Sequence, residues 1–471
     1  MLRCASLAAL TAALLSACSM APAYERQAVA VPETFKELGP WAVAAPQEAV
    51  PRGAWWRVFN DPDLDRLEAQ AAEANPTLAA ATVAYAQARA LAAQAQVSVF
   101  PDIGGTALAT RTRRSDNAPL RGTNGDIPNG ASEFSTRSLG AAIAWEVDLW
   151  GRLRNIAAVA GANSQASAAD LESVRLSLQA ELANNYMLLR GLDAQHALFT
   201  DTVEAFSRAQ DLTDARHEGG ASSGLDLGRA RTQLSTARAQ LKDIEAQRAL
   251  YEHAIAALTG QVASSFSLAP KVVALAQPRM PVGQPSTLLE RRPDIAAAER
   301  RAAAANAQIG VARAARFPAL TLNAQTGWQS AGGVDLISAP NNVWMVGPQL
   351  AGSLFDFGRR ANNVRATQAA FDQASANYRA VVLAALRGVE DQMALANILA
   401  EVAVDQNAAV TAARDTERLA LIRYRAGAAN YLEVVTAQTA RLTAERAALT
   451  LTTRRLQASV DLIRQLGGGW G

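Results

Sequence analysis

From Gly151 to Glu218 the chain runs 68 residues without a proline, and from Gly358 to Ala426 it runs 69. Proline is the residue that most surely ends a helix, and both runs are rich in alanine, the best helix former. Each run therefore predicts one helix, which at about 1.5 Å per residue reaches roughly 100 Å. Helices of that length do not belong to ordinary globular domains. A glycine follows each run (Gly220, Gly427), and a further helical run returns after it, over about 225–260 and 431–466. Glycine just past a helix end supplies the left-handed cap residue. The pattern predicts two giant helical hairpins with tips at 216–226 and 423–433.

The two tips repeat one phrase. Arg216 is followed four residues on by Gly220, then by Leu225 and Asp226; Arg423 is followed by Gly427, then by Leu432 and Glu433. Two further landmarks recur in the same order: Phe100-Pro101 against Phe317-Pro318, and DLWGR (148–152) against FDFGRR (355–360). The chain reads as a tandem duplication, with a first repeat in 18–279 and a second in 280–471.

Between these landmarks the period changes from helical to two. In 138–149, Leu139, Ala141, Ile143, Trp145, Val147 and Leu149 alternate with Ser138, Gly140, Glu146 and Asp148; in 319–328, Leu320, Leu322, Ala324 and Trp328 alternate with Thr321, Asn323 and Gln325. One apolar and one polar face fits a lipid-exposed barrel strand over a wet lumen; a half-buried strand of a soluble sandwich shares the alternation. Partner strands are expected at 102–113 and 343–354, joined by polar loops. Pro348 inside the last marks an edge or a bulge, and Trp145, Trp328 and Trp344 suit an aromatic girdle. Four strands cannot close a barrel, and open edges in lipid cost several kcal/mol per unpaired group, so the sheet must close through further copies.

The N-terminus, MLRCASLAALTAALLSACSM, has Arg3, a short apolar stretch and small residues before Cys18, the form of a secretory signal over 1–17. Leu15-Ser16-Ala17-Cys18 resembles a bacterial lipobox, which would make Cys18 an acylated first residue. Cys4 leaves with the signal, so no disulfide is available. No later segment has the roughly 20 apolar residues of a spanning helix. Net charge is +2, with basic residues spread through the helical runs, which excludes a nucleic-acid footprint.

Catalytic readings find little to stand on. His196, His217 and His253 are isolated, without HExxH or cysteine partners for a metal; no phosphate-binding GxxxxGK[ST] is present; Ser222-Ser223-Gly224 sits in a polar tip with no strand before it. No cofactor is expected. A structural lipoprotein bridging the periplasm would share the helices and Cys18 but has no need of four alternating strands.

Several blocks resemble the TolC-like outer-membrane efflux factors, in particular the lipoprotein branch (NodT and OprM type) that serves resistance-nodulation-division pumps. They are CSMAPAYERQ, WWRVFNDPDLDRLEAQAAEANPTLAAA (55–81), LLERRPDIAAAERRAAAANAQIGVARAARFPALTL (288–322), FDFGRRANNV, RYRAGAANYLEVVTAQ and the closing LGGGW. The resemblance implies an α+β membrane protein: a homotrimer whose twelve strands, four per chain, close an outer-membrane β-barrel continuous with a long periplasmic α-helical barrel. It implies an exit duct for drugs or other small molecules, passive and not an enzyme, working with a periplasmic adaptor and an inner-membrane transporter. Ducts for protein secretion or metal-ion efflux are the alternatives. Ser19, where an Asp would favour inner-membrane retention, points to lipid anchoring in the outer membrane.

On this reading the tips (Arg216, Gly220, Leu225, Asp226; Arg423, Gly427, Leu432, Glu433) meet the adaptor. Helix caps alone account for the two glycines but not for the leucines and acids that follow both. A closed aperture is expected just before the tips, at Asp211 and Asp214 in one repeat and Asp415 and Leu419 in the other, where three-fold symmetry would make rings. Solvated outer-face residues are the competing reading for these acids.

Overall fold

The computed structural model of the chain describes residues 19–37, 53–113, 133–273, 277–278, 291–331 and 335–468. The signal segment 1–17, Cys18, the greater part of the first strand loop and the expected start of the second repeat at 280 lie outside the described residues. The chain forms two compact units, one drawn from 1–27, 86–166 and 299–377 and the other from 28–85, 167–298 and 378–471. Each takes segments from both sequence repeats.

The first unit is built on a four-stranded antiparallel sheet in the order β1 (Asp102–Arg113), β2 (Glu133–Val147), β3 (Ala319–Ser330), β4 (Asn342–Ala351). The register sets Ile103 opposite Ile143, Ile143 opposite Ala324, and Ala324 opposite Val346. Because side chains alternate along a strand, this brings Ile103, Ala107, Leu139, Ile143, Trp145, Leu320, Leu322, Val346 and Leu350 onto one face. Thr106, Thr110, Ser138, Thr321, Asn323, Gln325 and Gln349 share the other. The three tryptophans lie on the apolar face, with Trp145 level with Leu322 and Trp328 level with Leu139. Six residues separate the two levels, roughly 20 Å along the strand, which suits two girdles.

Strand ends differ from the sequence expectation for identifiable reasons. β2 starts at Glu133 instead of 138, because β1 extends to Arg113 and Arg111 pairs with Glu133 at 2.8 Å. It stops at Val147 because Asp148 turns to accept from the backbone N–H groups of Leu153 and Arg154, at 3.0 and 2.9 Å, capping the next helix. β4 ends at Ala351 and not 354, since its partner strand begins only after Pro318, at Ala319. Pro348 pairs with Leu322 on an edge strand, where a missing donor is tolerated.

Around Asn75, which lies in the second unit, α1 (Pro62–Ala74) and α2 (Pro76–Val97) meet at a corner, and α2 and several of the long helices that follow run on into the first unit. Asp61 caps α1 by accepting from Asp63 and Leu64, and Pro62 sits at the first helical position. The long helices are α3 (Arg152–Glu218) and α4 (Gly224–Leu258), then α5 (Pro293–Ala314), then α6 (Arg359–Arg425) and α7 (Tyr431–Gln465). The predicted hairpins thus form within one or two residues of their expected limits. At their base Leu64, Leu67, Leu182, Tyr186, Met187, Ile255, Val460 and Ile463 form one core, each such side chain contributing about 1.5–3 kcal/mol by burial. The Tyr186 hydroxyl donates to Asp61 Oδ2 at 2.8 Å inside it. Arg190 and Arg248 grip Asp193 at 2.8 and 2.7 Å and donate to the carbonyls of Ala269 and Leu268, binding 268–269 to the helices.

Candidate functional site: the hairpin tips

Both outbound helices end in the same hydrogen-bonded turn. In the first, Ala221 N–H donates to the Arg216 carbonyl at 2.7 Å and Gly220 N–H to the His217 carbonyl at 2.9 Å; in the second, Ala428 donates to Arg423 at 2.9 Å and Gly427 to Tyr424 at 3.0 Å. This is the Schellman motif, which needs a left-handed residue, and φ is +72° at Gly220 and +73° at Gly427.

The acids that follow have a local task. Ser223 is the N-cap of α4 and accepts from Asp226 N–H at 3.2 Å, while its hydroxyl donates to the Asp226 carboxylate at 2.9 Å. Asn430 caps α7 by accepting from Glu433 N–H at 3.2 Å. An acid at the third helical position also opposes the positive end of the helix dipole. Asp226 and Glu433 are therefore explained as first-turn residues of the returning helices. Leu225 and Leu432 are not: their side chains are 64% and 45% exposed.

The repeated arginines do different work. Arg216 lies over the Tyr424 ring, 4.5 Å from its centroid, and its Nη1 donates to the Tyr424 carbonyl, so it ties the first tip to the second. Arg423 pairs instead with Glu433 at 3.2 Å, within its own tip. Tyr424 and Tyr431 meet at 5.5 Å in a buried cluster with Ala230 and Val434. Burial, with Tyr424 alongside, pushes the Tyr431 hydroxyl up to about 12.

The four predicted aperture residues lie on the outbound helices, before the caps. Asp211, Asp415 and Leu419 are exposed and Asp214 is half-buried. Asp214 lies 3.5 Å from Arg231 and Asp415 lies 3.4 Å from Arg418, both exposed pairs of small energetic weight.

Sequence reading missed a polar cluster higher in the second hairpin, where Arg441 contacts Glu417 at 2.6 Å and Glu445 at 3.2 Å, and Arg414 contacts Glu445 at 2.5 Å. A signal existed: Glu417 and Arg441 stand at nearly equal distances from the tip centre, as do Arg423 and Glu433. Folding the sequence about residues 428–429 would have paired them.

The fold and the duplication accord with the known proteins that the chain is similar to. The family described as "Outer membrane efflux protein" matches it twice, over residues 67–261 and 284–468. The chain belongs to that family. It is 32% identical over 98% of its length to outer membrane protein OprJ of Pseudomonas aeruginosa, covering 95% of that protein. It is 30% identical over 97% of its length to the pyoverdine export outer membrane protein OpmQ of the same organism, covering 95% of it. The solved structure of the outer-membrane channel OprN superposes with a TM-score of 0.88 at 30% identity, covering 96% of this chain and all of that one. This efflux protein is an outer-membrane exit duct of a tripartite efflux system, with a long periplasmic helical region, and it conducts without catalysing a reaction.

Proposed function

We propose that three copies of this efflux protein close a twelve-stranded barrel in the outer membrane and a helical tunnel below it. The observation that carries this reading is the sheet: among the described residues β1 and β4 have no partner on their outer edges, and one face of the strands is mostly apolar between the two tryptophan levels. Unpaired backbone in lipid costs several kcal/mol per group, and about eight strands are the minimum for membrane closure. Purified protein should run as a trimer by native mass and carry ion current in a planar bilayer. A monomer that conducts nothing would defeat the reading.

Within that assembly Cys18 is acylated and anchors the chain in the outer membrane, adding about 0.8 kcal/mol per buried methylene. The first and second repeats occupy 18–279 and 280–471. The tips dock a periplasmic adaptor carrying cargo from an inner-membrane resistance-nodulation-division transporter, and the exposed Leu225 and Leu432 are the apolar contacts. Pyoverdine export by a relative 30% identical supports small organic cargo. Adaptor crosslinking should fall when both leucines become aspartate, with trimer yield unchanged; full crosslinking would move docking elsewhere.

Asp211, Asp214, Asp415 and Leu419 form the resting constriction, where rings of carboxylates favour cations. Converting the three acids to Asn together should lower cation preference and raise resting conductance. Wild-type values for both would remove these residues from the gate.

A further inference from the structure

Charge is placed on only one face of the sheet's far end. β1 enters the sheet from the end of α2 and β2 leaves it into α3, so residues 102 and 147 mark the end nearer the periplasmic helices. Arg113 and Glu133 mark the other, exterior end. There β1 and β2 run on past the level of Leu139 and Trp328, the outer of the two tryptophan levels, while β3 stops at Ser330, opposite Arg137. In this extension Ala109 faces Arg137, Arg111 faces Ser135 and Arg113 faces Glu133, all on the side that carries Leu139 and Trp328. Thr110 opposite Thr136, and Thr112 opposite Phe134, share the other side. All four charged residues of the extension therefore continue the apolar face, which carries no charged residue between the two tryptophan levels.

From this we infer that Arg111, Arg113 and Arg137 bind the phosphate groups of the phosphorylated glycolipid that forms the outer leaflet of the outer membrane. The inference rests on the barrel reading above, in which the apolar face looks outward to lipid. Arg137, Arg111 and Arg113 stand two, four and six residues beyond the Leu139 level, which is about 7, 13 and 20 Å along the strand. They form a ladder that starts where the apolar band ends.

The chemistry of the ladder fits that occupant. A guanidinium meets a phosphate with parallel N–H donors and keeps its charge at every relevant pH. Arg113 and Arg137 are exposed and have no partner among the described residues. Arg111 reaches diagonally to Glu133 at 2.8 Å, an exposed pair of small weight. Three arginines against one glutamate leave an excess of positive charge on each copy, facing a leaflet whose headgroups are anionic. Charge on the lipid face is disfavoured at mid-depth and tolerated at the rim, which agrees with where the arginines begin. Solvation by water alone does not account for the placement. Beyond the membrane both faces of a barrel strand are wet, yet the luminal side of the extension carries only Thr110, Thr112, Thr136, Ser138 and the apolar Leu108 and Phe134.

Titrating the purified full-length protein in detergent with bisphosphorylated lipid A, and with the same lipid stripped of both phosphates, tests the assignment. The intact lipid should bind several-fold more tightly, and a large excess of inorganic phosphate should not displace it. Arg111→Gln, Arg113→Gln and Arg137→Gln together should abolish the preference. Arg208→Gln, Arg238→Gln and Arg387→Gln, three exposed arginines of the long helices, make the same change of net charge and should retain it. Glu133→Gln removes the one opposing acid and frees Arg111, so it should tighten binding of the intact lipid several-fold. That variant decides the matter even where the triple variant does not assemble: unchanged or weaker binding in it overturns the proposal. Full displacement by inorganic phosphate overturns the lipid as occupant. A trimer that carries current in a planar bilayer but binds both lipids alike overturns the ladder and leaves the barrel reading standing. A monomer that carries none overturns both.

Discussion

The two ends of the helical hairpins use one local device in opposite surroundings. Gly427 at a tip and Gly260 at the base both follow a helix end with positive φ, +73° and +70°, and the same pair of backbone hydrogen bonds closes each turn. A Cβ on Gly427 would meet nothing within 4 Å, and Gly220 is equally open. At Gly260 it would stand 2.4 Å from the carbonyl oxygen of Ala74, at the corner between α1 and α2. The cap is a local matter at the tip. At the base it is also the floor on which another segment rests, and Asn75 fastens that segment by donating to the Leu258 carbonyl at 2.8 Å. One motif therefore serves a surface kept free and a joint kept closed.

Giving both glycines a methyl group tests the difference between tip and base most directly. Gly260→Ala should cost about 1 kcal/mol for its φ and about 1–3 more for overlap with fixed backbone, reducing yield and thermal stability strongly. Gly427→Ala should lose only the first amount. Equal losses of melting temperature would mean that the base is as yielding as the tip.

The base also carries a pH effect. Glu68 on α1 is 1% exposed, and neither carboxylate oxygen has a hydrogen-bond partner. Burial, with Asp65 adding repulsion, pushes it up to about 9. The folded chain keeps this proton while the unfolded chain loses it above the ordinary value of 4.5. Stability from this group is therefore complete at acid pH and falls by about 1.4 kcal/mol per unit as pH rises toward 9. Glu68→Gln should flatten the fall in melting temperature between pH 5 and pH 9. An unchanged slope would show that Glu68 is ionised or finds a partner in the assembly.

Smaller effects are expected at the tip. Gly427→Asp should cost roughly 1 kcal/mol, leave trimer abundance near wild type and weaken adaptor engagement and resistance in cells. Normal resistance with normal adaptor crosslinking would separate the tip from docking. Smallest for stability is the pair Leu225→Asp and Leu432→Asp, within about 0.5 kcal/mol of wild type because both side chains are exposed. A large loss of stability there would mean that the leucines serve the fold.

The tip also marks how far its chemistry was legible. Gly220 and Gly427 were readable because a left-handed cap is a demand of the backbone alone. Asp226 and Glu433 were readable as a repeated pair, but their role as first-turn acids emerged only once Ser223 and Asn430 were placed as N-caps. Arg216 and Arg423 are one residue in the repeat and two in the structure, because Tyr424 and Tyr431 stand in the second tip where His217 and Gly224 stand in the first.

What depends only on neighbours along the chain was legible in the sequence: two helices of 67 residues, their caps, the alternation of two of the four strands and the duplication. Those features follow from proline-free length, from glycine at positive φ and from period, none of which requires a distant contact. Only the tertiary structure decided the stack of Arg216 on Tyr424, the burial of an unpartnered Glu68 and the cover over Gly260. It also decided that Trp150 stacks on Phe317 across the sheet while Phe357 meets only Phe355, two residues away. Each of these turns on which surfaces meet after the chain has doubled back, and two copies of one motif can meet different surfaces.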